Sequence, residues 1–565
     1  MEKQKIVIVG GVAGGATAAA RLRRVNENSH IVLLERGEHI SFANCGLPYY
    51  IGGSIEKREK LLVQTVEGMS RRFKLDIRNL SEVLNINREE KSVRIMDLST
   101  GKEYEETYDV LLLSPGAKPF LPPVTGISEA KNIFSLRSIP DTDKIKTYVE
   151  QKKPKSAVII GGGFIGLEMA ENLHELGINI RLVERSGQVM EALDFEMAAI
   201  VQEHLRAKGV ELFLNNGLER IEAEGKKVIL QNGEELDTDM IIMAAGVQPE
   251  SKLAEEAGLE LGSRNSIRVN EYLQTSDPSI YAVGDAIEVK DYISGQAGFV
   301  PLAWPANRQG RIVADTISGK PTVYKGTLGT AIAKVFDLTA AVTGNNEKIL
   351  QRRGVTYKVA HIHPSSHAGY YPGATPLALK MIFSPDNGTI LGAQAVGAKG
   401  ADKRIDVLAT AIKGGLTIYD LPELELAYAP PFSSAKDPVN MLGYVAQNML
   451  DGKLETFQWY EVPGLQESGA FILDVREEKE WEAGHIDGAV HFPLDTLRNR
   501  IHELPASETI YLYCHAGLRG YLATRILEEN GLRVKNLDGG NKTYRTAMNE
   551  RKLTEKAMPV PEVLG

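Results

Sequence analysis

The feature that most constrains this chain is a glycine-rich turn set between a β-branched run and a helix-forming stretch, and it occurs twice. Residues 5–9 form a β-branched run, Gly10-Gly11-Val12-Ala13-Gly14-Gly15 a turn, residues 16–24 an Ala-rich helix and residues 31–35 a second strand. The same order returns with residues 156–160 as strand, Gly161-Gly162-Gly163-Phe164-Ile165-Gly166 as turn, 167–176 as helix and 179–184 as strand. A strand that feeds a helix through such a turn presents backbone N–H groups and the positive helix end to a pyrophosphate. Gly161, Gly163 and Gly166 fit the full G-x-G-x-x-G pattern, and Glu184 lies 18 positions after Gly166, where a carboxylate accepts from a ribose 2′-OH. Glu184 favours NADH because it repels a 2′-phosphate, while Arg185 beside it keeps NADPH open. In the first turn Val12 replaces the second glycine. The candidate cofactor residues there are Gly10, Ala13 and Gly15, with Glu35 20 positions after Gly15 and Arg36 next to it. Two such units imply two dinucleotides.

Length and composition narrow the setting. At 565 residues the chain is long enough for three to four domains at about 100–200 residues each. A net charge of −9 argues against nucleic-acid and membrane-surface binding, which favour basic patches. The apolar run 6–9 is too short for a secretory signal core, and no stretch approaches the roughly 18–20 apolar residues of a membrane span, so a cytoplasmic protein is expected. There are two cysteines, 469 positions apart, which excludes a disulfide framework and a Cys-rich metal site. No metal is expected.

Past residue 325 the pattern changes. Residues 329–342 and 377–394 read as strand-rich and 402–413 as a helix, which marks a third domain. A polar stretch at 451–456 reads as a linker. A separate module of about 100 residues follows, with strands at 471–475 and 509–513.

A distant segment explains the irregular first turn. Thr275-Ser276-Asp277-Pro278-Ser279-Ile280-Tyr281-Ala282-Val283-Gly284-Asp285 resembles the strand of the two-dinucleotide flavoprotein disulfide reductases that ends in Gly-Asp. The resemblance implies that Gly284 and Asp285 serve FAD, with Asp285 at the ribityl chain. Leu111-Leu112-Leu113-Ser114-Pro115-Gly116-Ala117 and Ala244-Ala245-Gly246-Val247-Gln248-Pro249 are similar to the family's two crossover segments, which adds Ser114, Gly116 and Gly246 to the cofactor-binding set. This FAD/NAD(P)-dependent pyridine nucleotide-disulfide oxidoreductase resemblance covers about residues 3–445.

Many members of that family use a Cys-x-x-x-x-Cys pair. Here Ser41-Phe42-Ala43-Asn44-Cys45-Gly46-Leu47-Pro48-Tyr49 holds one cysteine and no partner within 400 residues. A single thiol must cycle through a mixed disulfide, a persulfide or a sulfenic acid. Gly46 and Pro48 suit a helix start, whose dipole is expected to favour the Cys45 thiolate. The segment resembles the coenzyme A-disulfide reductase branch, which is also similar to NADH-dependent persulfide reductases. The single-Cys NADH oxidases and peroxidases are the alternative. His367-Ala368-Gly369-Tyr370-Tyr371-Pro372-Gly373 and Ala427-Tyr428-Ala429-Pro430-Pro431 resemble the places where the coenzyme A branch keeps two active-site tyrosines. The resemblance assigns Tyr370 and Tyr428, with Tyr371 a rival for the first. A phenol can protonate a leaving thiolate. Coenzyme A carries phosphates, and Arg21 and Arg24 lie i,i+3 on the first helix. Lys74 and Lys436 match basic positions of the branch, and Ser41, Asn44 and Asn307 polar ones. The third domain forms the dimer interface in this family, so a homodimer is expected in which the partner supplies Tyr428 and Lys436.

The second cysteine opens Cys514-His515-Ala516-Gly517-Leu518-Arg519-Gly520, between a strand and a helix. Backbone N–H groups of such a loop point at the sulfur, and Arg519 and the helix N-terminus are expected to add positive character. Leu473-Asp474-Val475-Arg476-Glu477, Gly484-His485-Ile486-Asp487-Gly488-Ala489 and Leu537-Asp538-Gly539-Gly540 resemble the rhodanese family over about residues 457–550. Four residues separate Cys514 from Arg519, where related phosphatases have five, and the tighter loop suits sulfur. Gly520 stands where many rhodaneses have Ser.

The expected fold is α/β, with two Rossmann-like dinucleotide-binding domains, an α+β dimerisation domain and a C-terminal α/β rhodanese domain. The expected boundaries are 1–150 and 270–324 for FAD, 151–269 for NAD(P)H, 325–450 for dimerisation and 457–555 for the rhodanese module. The expected activity is NAD(P)H- and FAD-dependent reduction of coenzyme A disulfide, persulfide or polysulfide through Cys45, with sulfur relayed by Cys514. Two rivals stand beside it: a peroxide or oxygen reductase that cycles Cys45 through sulfenic acid, and a redox sensor whose rhodanese module only docks a partner.

Overall fold

The computed structural model describes residues 4–556. The chain divides into two compact units. One runs up to Val183 and adds Leu218–Gly329; the other joins Glu184–Gly217 to the chain from Thr330 onward.

The first unit holds a five-stranded parallel sheet in the order Ile280–Ala282, Val110–Leu113, Lys5–Val9, His30–Leu34, Asp76–Arg78. Ile8 lies opposite Leu33 on one side and Leu112 on the other. The three central strands are near-continuous apolar runs, which is what a parallel sheet covered on both faces requires. The strand Ile280–Ala282 pairs with Val110–Leu113 although about 170 residues of sequence separate them. Its end carries Gly284, whose N–H bonds the side chain of buried Gln309 at 2.7 Å. A second parallel sheet contains Asn179–Val183, Ser156–Ile160, Met240–Met243 and Ile133–Ser135. The two crossover segments pair with each other: Ala117–Pro119 runs antiparallel to Val247–Pro249.

Both first helices begin inside the glycine runs, at Gly14–Val25 and Phe164–Glu175, earlier than the sequence pattern predicts. The glycines look like a loop by composition, but here they are what lets the helix press against the strand. A β-carbon on Gly15 would stand 1.9 Å from the carbonyl oxygen of Gly10, and one on Gly166 would stand 1.9 Å from that of Gly161.

The second unit has an antiparallel sheet in the order Ala331–Val335, Leu338–Gly344, Ile390–Gly397, Leu377–Phe383, Lys358–Ile362, with the helix Ala401–Gly414 against it. Every residue of Leu377–Phe383 is buried, including Lys380. A parallel sheet follows in the order Thr456–Phe457, Arg533–Leu537, Thr509–Tyr513, Ile472–Asp474, Val490–His491. The stretch predicted as a polar linker is packed: Leu454 is buried and Thr456 already pairs in the sheet. One leucine in a polar run carries no periodicity, so the sequence hides it. The last helix, Gly540–Lys556, packs on Phe195–Ala207 of the same unit, where Glu550 accepts from Gln202 at 3.0 Å. Among the described residues no helix is long and apolar enough to cross a membrane.

The close approach at Gly166 makes a direct test. Gly166→Ala is expected to destabilise the protein by about 3 kcal/mol in denaturant melts, since the methyl has nowhere to go. Gly163→Ala should alter stability by less than about 0.5 kcal/mol, because open space surrounds a β-carbon at that position.

Candidate functional site

The first glycine turn is shaped by its own backbone. Gly10 sits at φ +97° and its N–H bonds Leu34 C=O at 2.8 Å. Glu35, just past the strand His30–Leu34, accepts from Gly11 N–H and Gly37 N–H at 2.8 Å each. A carboxylate has about four lone-pair positions, so capacity for a ribose hydroxyl remains. The second turn repeats the arrangement, with Gly161 at φ +112° and its N–H on Val183 C=O at 2.8 Å. Glu184, directly after Asn179–Val183, accepts from Ser186 N–H at 2.8 Å. Both sites thus have an N–H-lined turn that only glycine can form and an acid at the next strand end, the donor set a dinucleotide needs. Ala13 caps the first helix. Ser114 N–H bonds Val9 C=O at 2.7 Å. Gly116 C=O and Gly246 C=O accept from Glu250 and Phe120 and lock the crossover ribbon. Arg36 does not stand free: it pairs with Glu250 at 2.6 Å, as does Arg137 at 2.9 Å. Burial pushes Asp285 up to about 6, against the pull of Arg137.

Cys45 lies in a single 3-10 turn, Asn44–Gly46, which begins three residues after Ser41. Ser41 adopts φ +43°, a left-handed conformation that a β-carbon disfavours, and it is fixed at both ends: its N–H bonds Gly11 C=O at 2.9 Å and its C=O accepts from Val63 N–H at 3.1 Å. The thiol is exposed on one side and crowded on the other. The expected thiolate-favouring dipole is not realised. The helix after Cys45, Leu47–Ile51, has five residues, too few for a strong dipole. Burial raises the Cys45 pKa, and the carboxylates of Glu168 and Asp285 raise it further. Glu168 is the ionisable neighbour the sequence does not reveal. It stands on Phe164–Glu175, two positions after Gly166, and hydrogen-bonds Tyr49. Burial, with help from Glu171, pushes Glu168 up to about 7, and burial pushes Tyr49 up to about 12. Only its helical register with Gly166 could have flagged it.

The cations predicted for phosphates are less available than their sequence suggests. Arg21 pairs with Asp315 at 2.7 Å across the packed helices Gly14–Val25 and Ala303–Ile317. Lys74 pairs with Glu27 at 3.0 Å. Arg24 donates to Ala20 C=O at 3.0 Å and has no carboxylate partner among the described residues. Asn307 accepts from Thr17 at 2.6 Å, which places it beside the first helix. Asn44 is exposed next to Cys45.

In the second unit the hydroxyls of Tyr370 and Tyr428 hydrogen-bond at 2.9 Å, and both rings are exposed. Tyr371 instead packs its ring against His367. The hydrogen bond to Tyr428 raises the pKa of Tyr370, so its proton stays on at neutral pH. The two loops are tied by Ala368 N–H to Ser433 C=O at 3.0 Å and anchored by buried Arg404, which bonds Asp437 at 2.9 Å. Lys436, exposed, precedes Asp437.

Cys514 follows the central strand Thr509–Tyr513 and is 1% exposed. Asn541 and Lys542 N–H groups hold the carbonyls of Cys514 and His515 at 2.8 and 3.0 Å. In a trans peptide C=O and N–H point oppositely, so the N–H groups of His515 and Ala516 face away from that contact. Gly517 N–H reaches the sulfur at 3.0 Å. The helix Leu518–Glu528 begins one residue later. Arg519 is not the free cation expected: Glu480 binds its guanidinium through both oxygens, at 2.6 and 2.7 Å. Arg519 holds Glu480 at about 2, so this neutralisation persists at any working pH.

Two dinucleotide cradles, a lone thiol beside the first and a second thiol in an N–H-lined loop define a two-dinucleotide flavoprotein oxidoreductase fused to a rhodanese-like module. The chain belongs to the pyridine nucleotide-disulphide oxidoreductase family. That family's sequence model matches residues 4–310, its dimerisation domain 330–438, and a rhodanese-like domain 459–547. The predicted fold class is the observed one, and the protein is a flavoprotein enzyme that uses FAD and a pyridine nucleotide. The structure is similar to that of reduced Bacillus anthracis CoADR-RHD, at 58% identity and TM-score 0.96, covering 98% of this chain and 99% of that one. It is also similar to a NAD-dependent persulfide reductase from A. fulgidus, at 39% identity and TM-score 0.89, covering 96% and 100%. The coenzyme A disulfide reductase of Staphylococcus aureus (strain JH9) is 39% identical over 445 residues, 78% of this chain and all of that protein.

Glu168→Gln removes a carboxylate that opposes the Cys45 thiolate. Because Glu168 ionises near pH 7, its opposition grows as pH rises through that value. The variant is therefore expected to move the pH profile of Cys45 alkylation to lower pH, read on a Cys514→Ser background. A profile that moves to higher pH, or not at all, would contradict this electrostatic account.

Proposed function

We propose that this enzyme reduces coenzyme A disulfide and coenzyme A persulfide through Cys45, with Cys514 as the sulfur carrier that loads the persulfide, in the cytoplasm. The observation that carries the reading is the lone exposed thiol of Cys45, beside one dinucleotide cradle and without a second cysteine near it in sequence. Such a thiol needs an external thiol as its partner. The printed activities of the relatives, coenzyme A disulfide reductase and NAD-dependent persulfide reductase, support that partner and that chemistry.

In this reading Gly10, Ala13, Gly15, Glu35, Arg36, Ser114, Gly116, Gly284 and Asp285 hold FAD. Gly161, Gly163, Gly166, Glu184 and Gly246 serve NAD(P)H, with NADH favoured by Glu184. The Cys45 thiolate attacks one sulfur of the substrate. A Cys45–S bond forms, the substrate S–S bond breaks, and the other thiolate leaves. Tyr370 and Tyr428 act as a hydrogen-bonded phenol pair that protonates the leaving sulfur. With coenzyme A disulfide the adduct is a mixed disulfide; with the persulfide it is a Cys45 persulfide and free coenzyme A departs. FAD, when bound, relays two electrons from NAD(P)H to the Cys45 adduct, which returns the thiol and releases coenzyme A or hydrogen sulfide. In a homodimer the tyrosine pair and Lys436 of one subunit serve Cys45 of the other. Arg21, Arg24, Lys74, Ser41, Asn44 and Asn307 bind the substrate's polar and phosphate groups. Cys514 takes sulfane sulfur from a donor in the loop of residues 514–519.

Three variants test the scheme. Cys45→Ser should abolish NADH-dependent reduction of both substrates; retained activity on both would overturn the mechanism. Tyr428→Phe should lower kcat by about 10²-fold with unchanged flavin content, the range of a lost general acid. Cys514→Ser should lose sulfur transfer from thiosulfate and keep coenzyme A disulfide reduction. Mass spectrometry of the purified protein should find Cys45 carrying a coenzyme A adduct. Rapid peroxide turnover with negligible reduction of coenzyme A disulfide would favour the sulfenic-acid route instead.

A further inference from the structure

We propose that His361, on a strand of the dimerisation sheet, is a positioning residue for Cys514. It grips the turn that sets the cysteine loop, so the sulfur site is built partly by the flavoprotein portion of the chain. The inference rests on the reading of Cys514 as a sulfur carrier.

The path is continuous. His361 lies on the strand Lys358–Ile362 and is 4% exposed. Its N–H bonds Asp538 Oδ1 at 2.9 Å and its Nδ1 meets Asp538 Oδ2 at 2.6 Å. Asp538 follows Arg533–Leu537 and opens the turn Asp538-Gly539-Gly540. That turn is pressed onto the strand, since a β-carbon on Gly539 would stand 3.0 Å from His361 Cβ. Two residues further on, the N–H groups of Asn541 and Lys542 hold the carbonyls of Cys514 and His515. The carbonyls so held turn the His515 and Ala516 N–H groups to the other face of the loop. A second brace lies beside the first: His363 Nε2 meets Thr543 Oγ1 at 2.7 Å.

His361 grips as a cation. Its Nε2 meets Glu196 Oε1 at 3.0 Å, so carboxylates face both ring nitrogens and both must donate. Burial opposes the charge, but Asp538 and Glu196 outweigh it and raise the pKa to about 9. The charged groups around the ring come from three elements. Asp538 faces it from the turn and Glu196 from Phe195–Ala207. Lys380 faces it from Leu377–Phe383 and also bonds Glu196 and Glu347, with Asp194 at 2.8 Å. His363, one residue past the strand, is kept neutral by burial. Lys542, on Gly540–Lys556, acts on His363, and Trp459 closes the cluster by donating to Glu196 at 3.3 Å.

The test separates gripping from bulk. An asparagine amide overlays the Nδ1 edge of the ring and can keep the bond to Asp538; a glutamine amide overlays Nε2 and cannot. On a Cys45→Ser background, full-length flavin-loaded His361→Gln is expected to lose about tenfold or more in kcat for thiosulfate-to-cyanide sulfur transfer, with little change in KM. The rate of Cys514 alkylation at pH 7 should fall with it. His361→Asn should keep most of both. With Cys45 intact, both variants should reduce coenzyme A disulfide like the parent. Equal behaviour of the two variants, or unchanged alkylation in His361→Gln, would overturn the proposal. If His361→Gln does not fold, Asp538→Asn supplies the same readings, and normal alkylation there would overturn it equally. A parent without sulfur transfer refutes the carrier reading, while the alkylation rates still judge the role of His361.

Discussion

The contact on which the rest depends is the one between a helix and the carbonyl just before it. At Gly15 and again at Gly166 the helix backbone lies where no side chain fits. That approach turns the N–H groups of each turn outward and brings each helix end to the carboxyl edge of its sheet. The surroundings of Cys45 are arranged from these two points. Ser41, strained at φ +43°, bonds the Gly11 carbonyl four positions before Cys45, and Glu168 rides on the helix Phe164–Glu175 that contains Gly166. The lone thiol therefore meets the two cradles through backbone geometry.

Electrostatics around the two cysteines runs against simple expectation. Cys45 has carboxylates as neighbours, and burial and these charges together hold its proton on. Cys514 has an arginine nearby, but Glu480 claims it. Cys45 thus sits among carboxylates, whereas the backbone N–H of Gly517 reaches the Cys514 sulfur.

Much of the fold was legible because it is periodic or repeated. The strand–turn–helix units, the Gly-Asp strand end and the Cys514 loop each follow from local spacing, and the resemblance they carry assembled them. The strand Thr509–Tyr513 has the bounds its pattern suggests. What stayed hidden is what depends on pairs far apart in sequence. Glu168, which the sequence does not flag, meets Tyr49, while Arg36 meets Glu250 and Arg519 meets Glu480, so that two cations named from the sequence are paired. Leu454 was invisible because one buried leucine makes no pattern. Of Tyr370 and Tyr371, adjacent in sequence, only a three-dimensional contact distinguishes the one that faces Tyr428.

The buried cluster around Lys380 also bears on how such a fusion persists. Asp194, Glu196 and Glu347 share one ammonium, and the imidazolium of His361 is balanced by Asp538, which belongs to the last module. A buried charge deprived of its partner is strongly destabilising. Deleting the C-terminal module would therefore remove the carboxylate that faces His361 Nδ1 and leave Glu196 as the carboxylate at the ring. The module thus supplies one counter-charge to a buried cluster whose other members lie in the rest of the second unit.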